Sequence, residues 1–168
     1  MLKRRSERRA VTRQEHETLQ VVAFRIGAEM YGLDIACVQE IERVQPITKV
    51  PQALSFVEGV IHVRGAIIPV IDLARRFGLP ATVEDRQTRI IIASLRGQSV
   101  GFIVGAVTEV VSLPVKSIGP APPLTFDRAV KFITGMARVG ESLISILGID
   151  QLLSTEEIGQ LQQQQSLF

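Results

Sequence analysis

The stretch GQSVG, residues 97–101, fits the G-x-S-x-G pattern that in a hydrolase presents a nucleophilic serine. A nucleophile elbow needs a strand, a sharp turn carrying the serine, then a helix, with the histidine later in the chain. Here both histidines, His16 and His62, precede Ser99, and the flanking residues read as a β-hairpin. Metal chemistry has no better footing. The two histidines and the single Cys37 lie far apart, without ligand spacing. Neither a G-x-G-x-x-G nor a Walker A stretch is present. Glu40, Glu109, Asp72 and Asp150 fall at repeat-related or turn positions, as structural carboxylates do, and Cys37 reads as a small core residue in an apolar bend. The sequence is that of a non-enzyme, with no metal and no cofactor expected.

The remaining chemistry is recognition. In EGVIHVRGAIIPVIDLARRFGL, residues 58–79, two apolar runs meet at Arg64-Gly65. Arg64 is either a solvent-facing turn residue or a charge presented by a rigid hairpin. His62 beside it is a strand residue open to solvent or a pH-sensitive contact.

Charge is unevenly placed along the 168 residues. Residues 1–17 hold six Lys/Arg against three Glu, leaving 13 basic and 14 acidic side chains of the chain's 19 and 17 for a nearly neutral body. The leader is expected to be disordered and solvated, or to make a weak contact with an acidic partner or lipid surface. Nucleic acid is the alternative client, but a single-strand binder needs a basic groove with exposed aromatics. Phe24, Phe56, Phe102 and Phe132 all sit inside apolar runs, where core is the expected role. One cysteine excludes an internal disulfide, the apolar runs are too short to span a bilayer, and Gln20 and Arg25 interrupt any signal-like stretch. A cytoplasmic protein is expected.

What must position Arg64 is a set of strands. Alternating and β-branched runs predict strands near 19–26, 30–34, 38–44, 58–64, 66–72, 88–95, 98–104, 107–112, 132–139 and 142–148, joined by glycine-bearing turns. DLARRFG reads as one short helix, with Asp72 at its start and Gly78 at its end. Ser154 and Glu157 form a capping-box pattern, so residues 154–168 are a helix or a fraying polar tail.

The chain also repeats itself. Shifted by 69, GLDIACVQEIERV (32–44) lies on GFIVGAVTEVVSL (101–113), matching Gly32, Val38 and Glu40 to Gly101, Val107 and Glu109. Shifted by 76, residues 56–71 lie on 132–147, matching Phe56, Gly59 and Val63 to Phe132, Gly135 and Val139. The halves fall at about 19–79 and 86–153. Two five-stranded units follow, each too small to bury much alone and therefore packed on a shared core. Which barrel the terminal strands join is open.

FRIGAEMYGLDIACVQEIERV, then VEGVIHVRGAIIPVIDLARRFG, then FITGMARVGESLISILGIDQLL resemble the CheW-type coupling proteins of bacterial chemosensory arrays. The resemblance covers about residues 19–153, and its most specific part is the run at 59–73. It departs where the family usually has Asn-Leu-Arg-Gly and this chain has His62-Val63-Arg64-Gly65. The resemblance implies a mainly β fold of two pseudo-symmetric SH3-like five-stranded barrels around a shared hydrophobic core. It implies an adaptor without an active site, joining the cytoplasmic tip of methyl-accepting chemoreceptors to the regulatory domain of a CheA-type histidine kinase, recruited to membrane-associated arrays. Carried over residue by residue, Val38, Glu40, Gly59, Arg64, Ile67, Gly101 and Gly135 would lie at or near the receptor groove, with Glu40 as the partner of Arg64. A kinase contact would fall at Val44, Ile47 and Val50.

Overall fold

Period-two alternation puts one face of each strand into an aliphatic interior, and glycine at the turns lets each strand reverse onto its neighbour. The computed structural model describes residues 17–120 and 128–168. The basic leader, apart from Glu17, lies outside the described residues. Ten strands are present among the described residues, in the order the sequence predicts: β1 (Thr18–Ile26), β2 (Glu29–Asp34), β3 (Val38–Arg43), β4 (Val57–Val63), β5 (Ala66–Asp72), β6 (Arg89–Leu95), β7 (Gln98–Val104), β8 (Ala106–Pro114), β9 (Ile133–Val139) and β10 (Ser142–Leu147). Helix α1 (Leu73–Arg76) follows β5, and α2 (Thr155–Gln165) closes the described chain.

The strands form two five-stranded sheets, ordered β8-β1-β2-β10-β9 and β3-β6-β7-β5-β4. Replacing each strand of one order by its counterpart five places along the chain reproduces the other. The sequence repeat is thus a pseudo-twofold relation between the sheets, and the N-terminal hairpin is exchanged. β1 and β2 join strands of the second half, while β6 and β7 complete the sheet of the first. The relation extends to irregularities. Bulges fall between Val38 and Glu40 on β3 and opposite Ala23/Phe24 on β8, and again between Val57 and Gly59 and opposite Ile146/Leu147.

Each sheet curls into an SH3-like barrel closed by one bridge beyond its named strands, Thr48 to Val60 and Gly119 to Met136. Glycine is required at these seams. Gly59 has φ 148°, and a Cβ there would lie 2.1 Å from the Thr48 carbonyl oxygen. A Cβ on its repeat counterpart Gly135 would lie 2.7 Å from Ile118 Cγ2.

Burial falls in three clusters. Ile61, Ile68, Val70, Ile90, Ile92 and Ile103 fill one barrel, and Val21, Leu113, Ala137 and Ile146 fill the other. The largest cluster lies between them and holds Phe24, Tyr31, Phe77, Phe102 and Phe132. Phe24, Tyr31, Phe77 and Phe132 run ring to ring at 6.2, 5.2 and 5.5 Å. The four phenylalanines considered for base stacking are at most 7% exposed.

The helices tie down the ends. Buried Asp72 caps α1, accepting from Ala74 N at 3.1 Å, and also accepts from Thr82 N and Oγ1. Three donors offset the cost of burying its charge. α2 opens with the capping box predicted at Ser154 and Glu157. Arg76 joins the two helices, donating to the Leu152 carbonyl and to Glu157 while its guanidinium lies 4.4 Å from the Phe56 ring centre.

Two glycine substitutions are expected to act in opposite directions in urea unfolding. Gly59→Ala should destabilise by about 2–4 kcal/mol through left-handed strain and a blocked seam. Gly159→Ala, in mid-helix with nothing within 4 Å of the added Cβ, should stabilise by about 0.5–1 kcal/mol.

Candidate functional site

Arg64 occupies the two-residue turn between β4 and β5, with φ 51°, followed by Gly65 at φ 80°. Two consecutive positive φ values mark the type I′ turn that suits the twist of a hairpin, although the left-handed conformation costs a non-glycine residue about 1–2 kcal/mol. Arg96-Gly97 repeats the conformation in the β6–β7 turn, at φ 50° and 80°. The two arginines are used differently. Arg96 is pinned to α2, donating to Thr155 Oγ1 at 2.6 Å. Arg64 reaches Glu40 at 2.6 Å and is otherwise held out to solvent, its side chain 79% exposed.

Glu40 is the more buried partner, at 24%, on an outer strand of the sheet just past the bulge that re-aims it. The pair therefore spans from β3 to the β4–β5 turn. An ion pair with one end this exposed contributes about 0–1 kcal/mol. The larger penalty of a stranded buried charge does not apply to Arg64. The pair orients a cation more than it stabilises the barrel.

Glu42 is a third member that the sequence reading missed, although its i+2 spacing from Glu40 on a strand was a legible signal. Its carboxyl is raised above the usual carboxylate range. The first cause is a hydrogen bond with the Glu40 carboxyl, followed by desolvation and the Glu40 charge, with Arg64 acting in the opposite direction. Such a bond exists only while the Glu42 carboxyl carries its proton. Glu40 Oε2 has no other donor and is buried.

The other expected receptor residues are placed less openly. Val38 and Ile67 are half-buried, and the Ile67 carbonyl accepts from Gln165 Nε2. Gly59, Gly101 and Gly135 are buried. A Cβ on Gly101 would meet Ile90 Cγ2 at 2.9 Å, so these glycines serve the barrels. Gly135 lies in the other sheet from Arg64. Of the kinase residues, Val44 and Ile47 are half-buried against the core of their barrel, and Val50 is only 8% exposed. Exposed Pro46, Thr48 and Lys49 form the accessible part of that segment.

The residues with catalytic appearance are placed otherwise. Ser99 lies on β7 and donates to Gln39 Oε1 at 2.7 Å. Cys37 donates to the Asp34 carbonyl, and burial, with help from the Asp34 charge, pushes its thiol up to about 11. A thiol so placed is unreactive at neutral pH. His62 is exposed on β4. Among the described residues no group of three or more His, Cys, Asp and Glu is placed to hold a metal, and no helix is long and apolar enough to cross a membrane.

A raised carboxyl makes the Glu40–Glu42 bond a stabilising feature at acid pH. Its contribution is fully present below the unfolded-state glutamate value and is lost as pH rises through the raised one. Carbon-13 titration should place Glu42 above the ordinary glutamate range and return it there in Glu40→Ala. An unshifted wild-type midpoint would contradict the shared proton.

Residues 20–157 match the model of the CheW-like domain. The chemotaxis protein CheW of Klebsiella aerogenes is 34% identical over 139 residues, covering 83% of this chain and 84% of that protein. CheW of Treponema pallidum is 32% identical over 149 residues, covering 86% and 88%. The crystal structure of the scaffolding protein TtCheW from Thermoanaerobacter tengcongensis superposes with a TM-score of 0.76 at 39% identity, covering 84% of this chain and 96% of that one. The exchanged barrels and these likenesses agree: the chain belongs to the CheW-like family, scaffolds of chemotaxis signalling and not enzymes.

Proposed function

We propose that this protein couples the cytoplasmic tips of methyl-accepting chemoreceptors to a CheA-type histidine kinase, joining membrane-associated arrays from the cytoplasm. The observation that carries the reading is Arg64. A strained, glycine-backed turn holds a largely exposed guanidinium, and Glu40 fixes its direction from the neighbouring outer strand. A fork so oriented is suited to bidentate recognition of a carboxylate or carbonyl on a receptor helix. Val38, Glu40 and Ile67 supply the half-buried surroundings, while Gly59, Gly101 and Gly135 act by keeping the strands close. The kinase domain is placed on the 44–50 segment, reached through Pro46, Thr48 and Lys49, with Val44, Ile47 and Val50 supporting them from beneath. The nucleic-acid alternative finds no support in the buried phenylalanines or in the names of the relatives.

The test is a titration of the purified protein against a receptor-tip fragment and the isolated kinase regulatory domain. Arg64→Glu should weaken receptor binding by about ten-fold or more, the loss of an anchoring contact. It should leave kinase binding unchanged and the chain folded. An unfolded variant would make Arg64 a structural residue. Absence of binding to both partners by wild type would refute the coupling reading.

A further inference from the structure

Helix α2 is anchored unevenly. Its first two turns are fixed by the capping box, by Arg76 on Glu157 at 2.9 Å, by Arg96 on Thr155, and by buried Ile158 and Leu161. Beyond Leu161 no apolar side chain is buried among the described residues. Leu167 is 71% exposed and Phe168 46%. What holds this half is amide chemistry. Gln165 Nε2 donates to the Ile67 carbonyl, and Gln98 Nε2 donates to Gln165 Oε1 at 3.1 Å. The fit is incomplete, because Gln98 Oε1 and Gln164 Oε1 are both buried without a donor. Buried acceptors left unpaired favour any rearrangement that wets or pairs them.

The surface beneath is the end of the β3–β7 barrel at which β5 and β7 begin side by side. It presents the Ile67 carbonyl, the Gln98 amide and the Ser99–Gln39 pair, beside the turn that carries Arg64. We propose that this end of the barrel is a helix-binding surface whose resident occupant is residues 162–168. A receptor helix bearing amide or other hydrogen-bonding side chains displaces that strap as it docks on Ile67 and Arg64. The inference rests on the coupling reading and adds a regulation to it. The strap lowers receptor affinity by the fraction of molecules in which it is closed.

Three variants of the full system test this. Ending the chain after Leu161 removes the strap. Gln165→Ala loosens it within the whole chain. Gln164→Leu tightens it, by replacing a half-buried side chain whose Oε1 lacks a donor with an apolar group of similar size. The first two should bind the receptor-tip fragment up to about ten-fold more tightly, and the third should bind more weakly by a similar factor, if the closed form outnumbers the open by about ten to one. Kinase-domain binding should not change in any of them. If the shortened chain loses stability in thermal melts, the opposed pair Gln165→Ala and Gln164→Leu decides the matter. Equal receptor affinity across wild type and these variants, with kinase binding retained, overturns the strap alone. A chain that binds neither partner in any form overturns the coupling reading and the strap with it.

Discussion

Five short strands curled into a barrel enclose room for only a handful of aliphatic side chains, and in this protein everything else follows from that shortage. Among the described residues, one barrel closes over a cluster of six buried side chains and the other over a cluster of four. The apolar surface that would stabilise the molecule lies mostly on the outside of both, where Phe24, Tyr31 and Phe102 pack with Phe77 and Phe132. Burying a side chain of that size is worth about 1.5–3 kcal/mol. The core between the barrels therefore decides whether the barrels exist. Exchange of the β1–β2 hairpin binds the arrangement covalently, since neither barrel can leave without taking strands from the other half.

The proposed recognition surface is built on the ends that this packing leaves over. Once both sheets are turned inward, the turns and outer strands at the barrel ends are what remains for contact. Arg64 and Arg96 show how such ends are divided. They share a turn conformation and a sheet, yet one is consumed in fastening α2 and the other is held free by Glu40. Glu42, its carboxyl raised by a hydrogen bond with Glu40, adds a group that gains its charge late beside that cation. In a scaffold, such local asymmetries are what a partner can read.

Much of this was legible in the sequence. All ten strands were, because alternation and a glycine turn constrain each hairpin locally. Asp72, Ser154 and Glu157 announced their helices because capping is local too. The Arg64–Glu40 pair came through family resemblance. The exchange of β1 and β2 was not legible, since either pairing buries the same alternating faces and the pattern names a face, never a neighbour. Resemblance transfers position without exposure: it set Val50 and three glycines at or near contacts, and only the structure shows that they are buried. The docking of Gln165 on Ile67 had no sequence signal, because a run of glutamines has no periodicity to read.

The exchanged hairpin also has a consequence in time. During synthesis β1 and β2 are made first, but the strands they join, β8, β9 and β10, are made last. The first sheet cannot be completed until the chain has reached Leu147, and until then Val21, Val22 and Phe24 have no permanent cover. The second sheet, drawn from β3 to β7, can close earlier, and its outer face is then a template on which the waiting hairpin can rest. Contacts between distant parts of a chain slow folding and prolong the exposure of apolar strands. In a cell this protein is thus most vulnerable at birth, and the order in which its barrels close follows from a topology whose mature form looks symmetric.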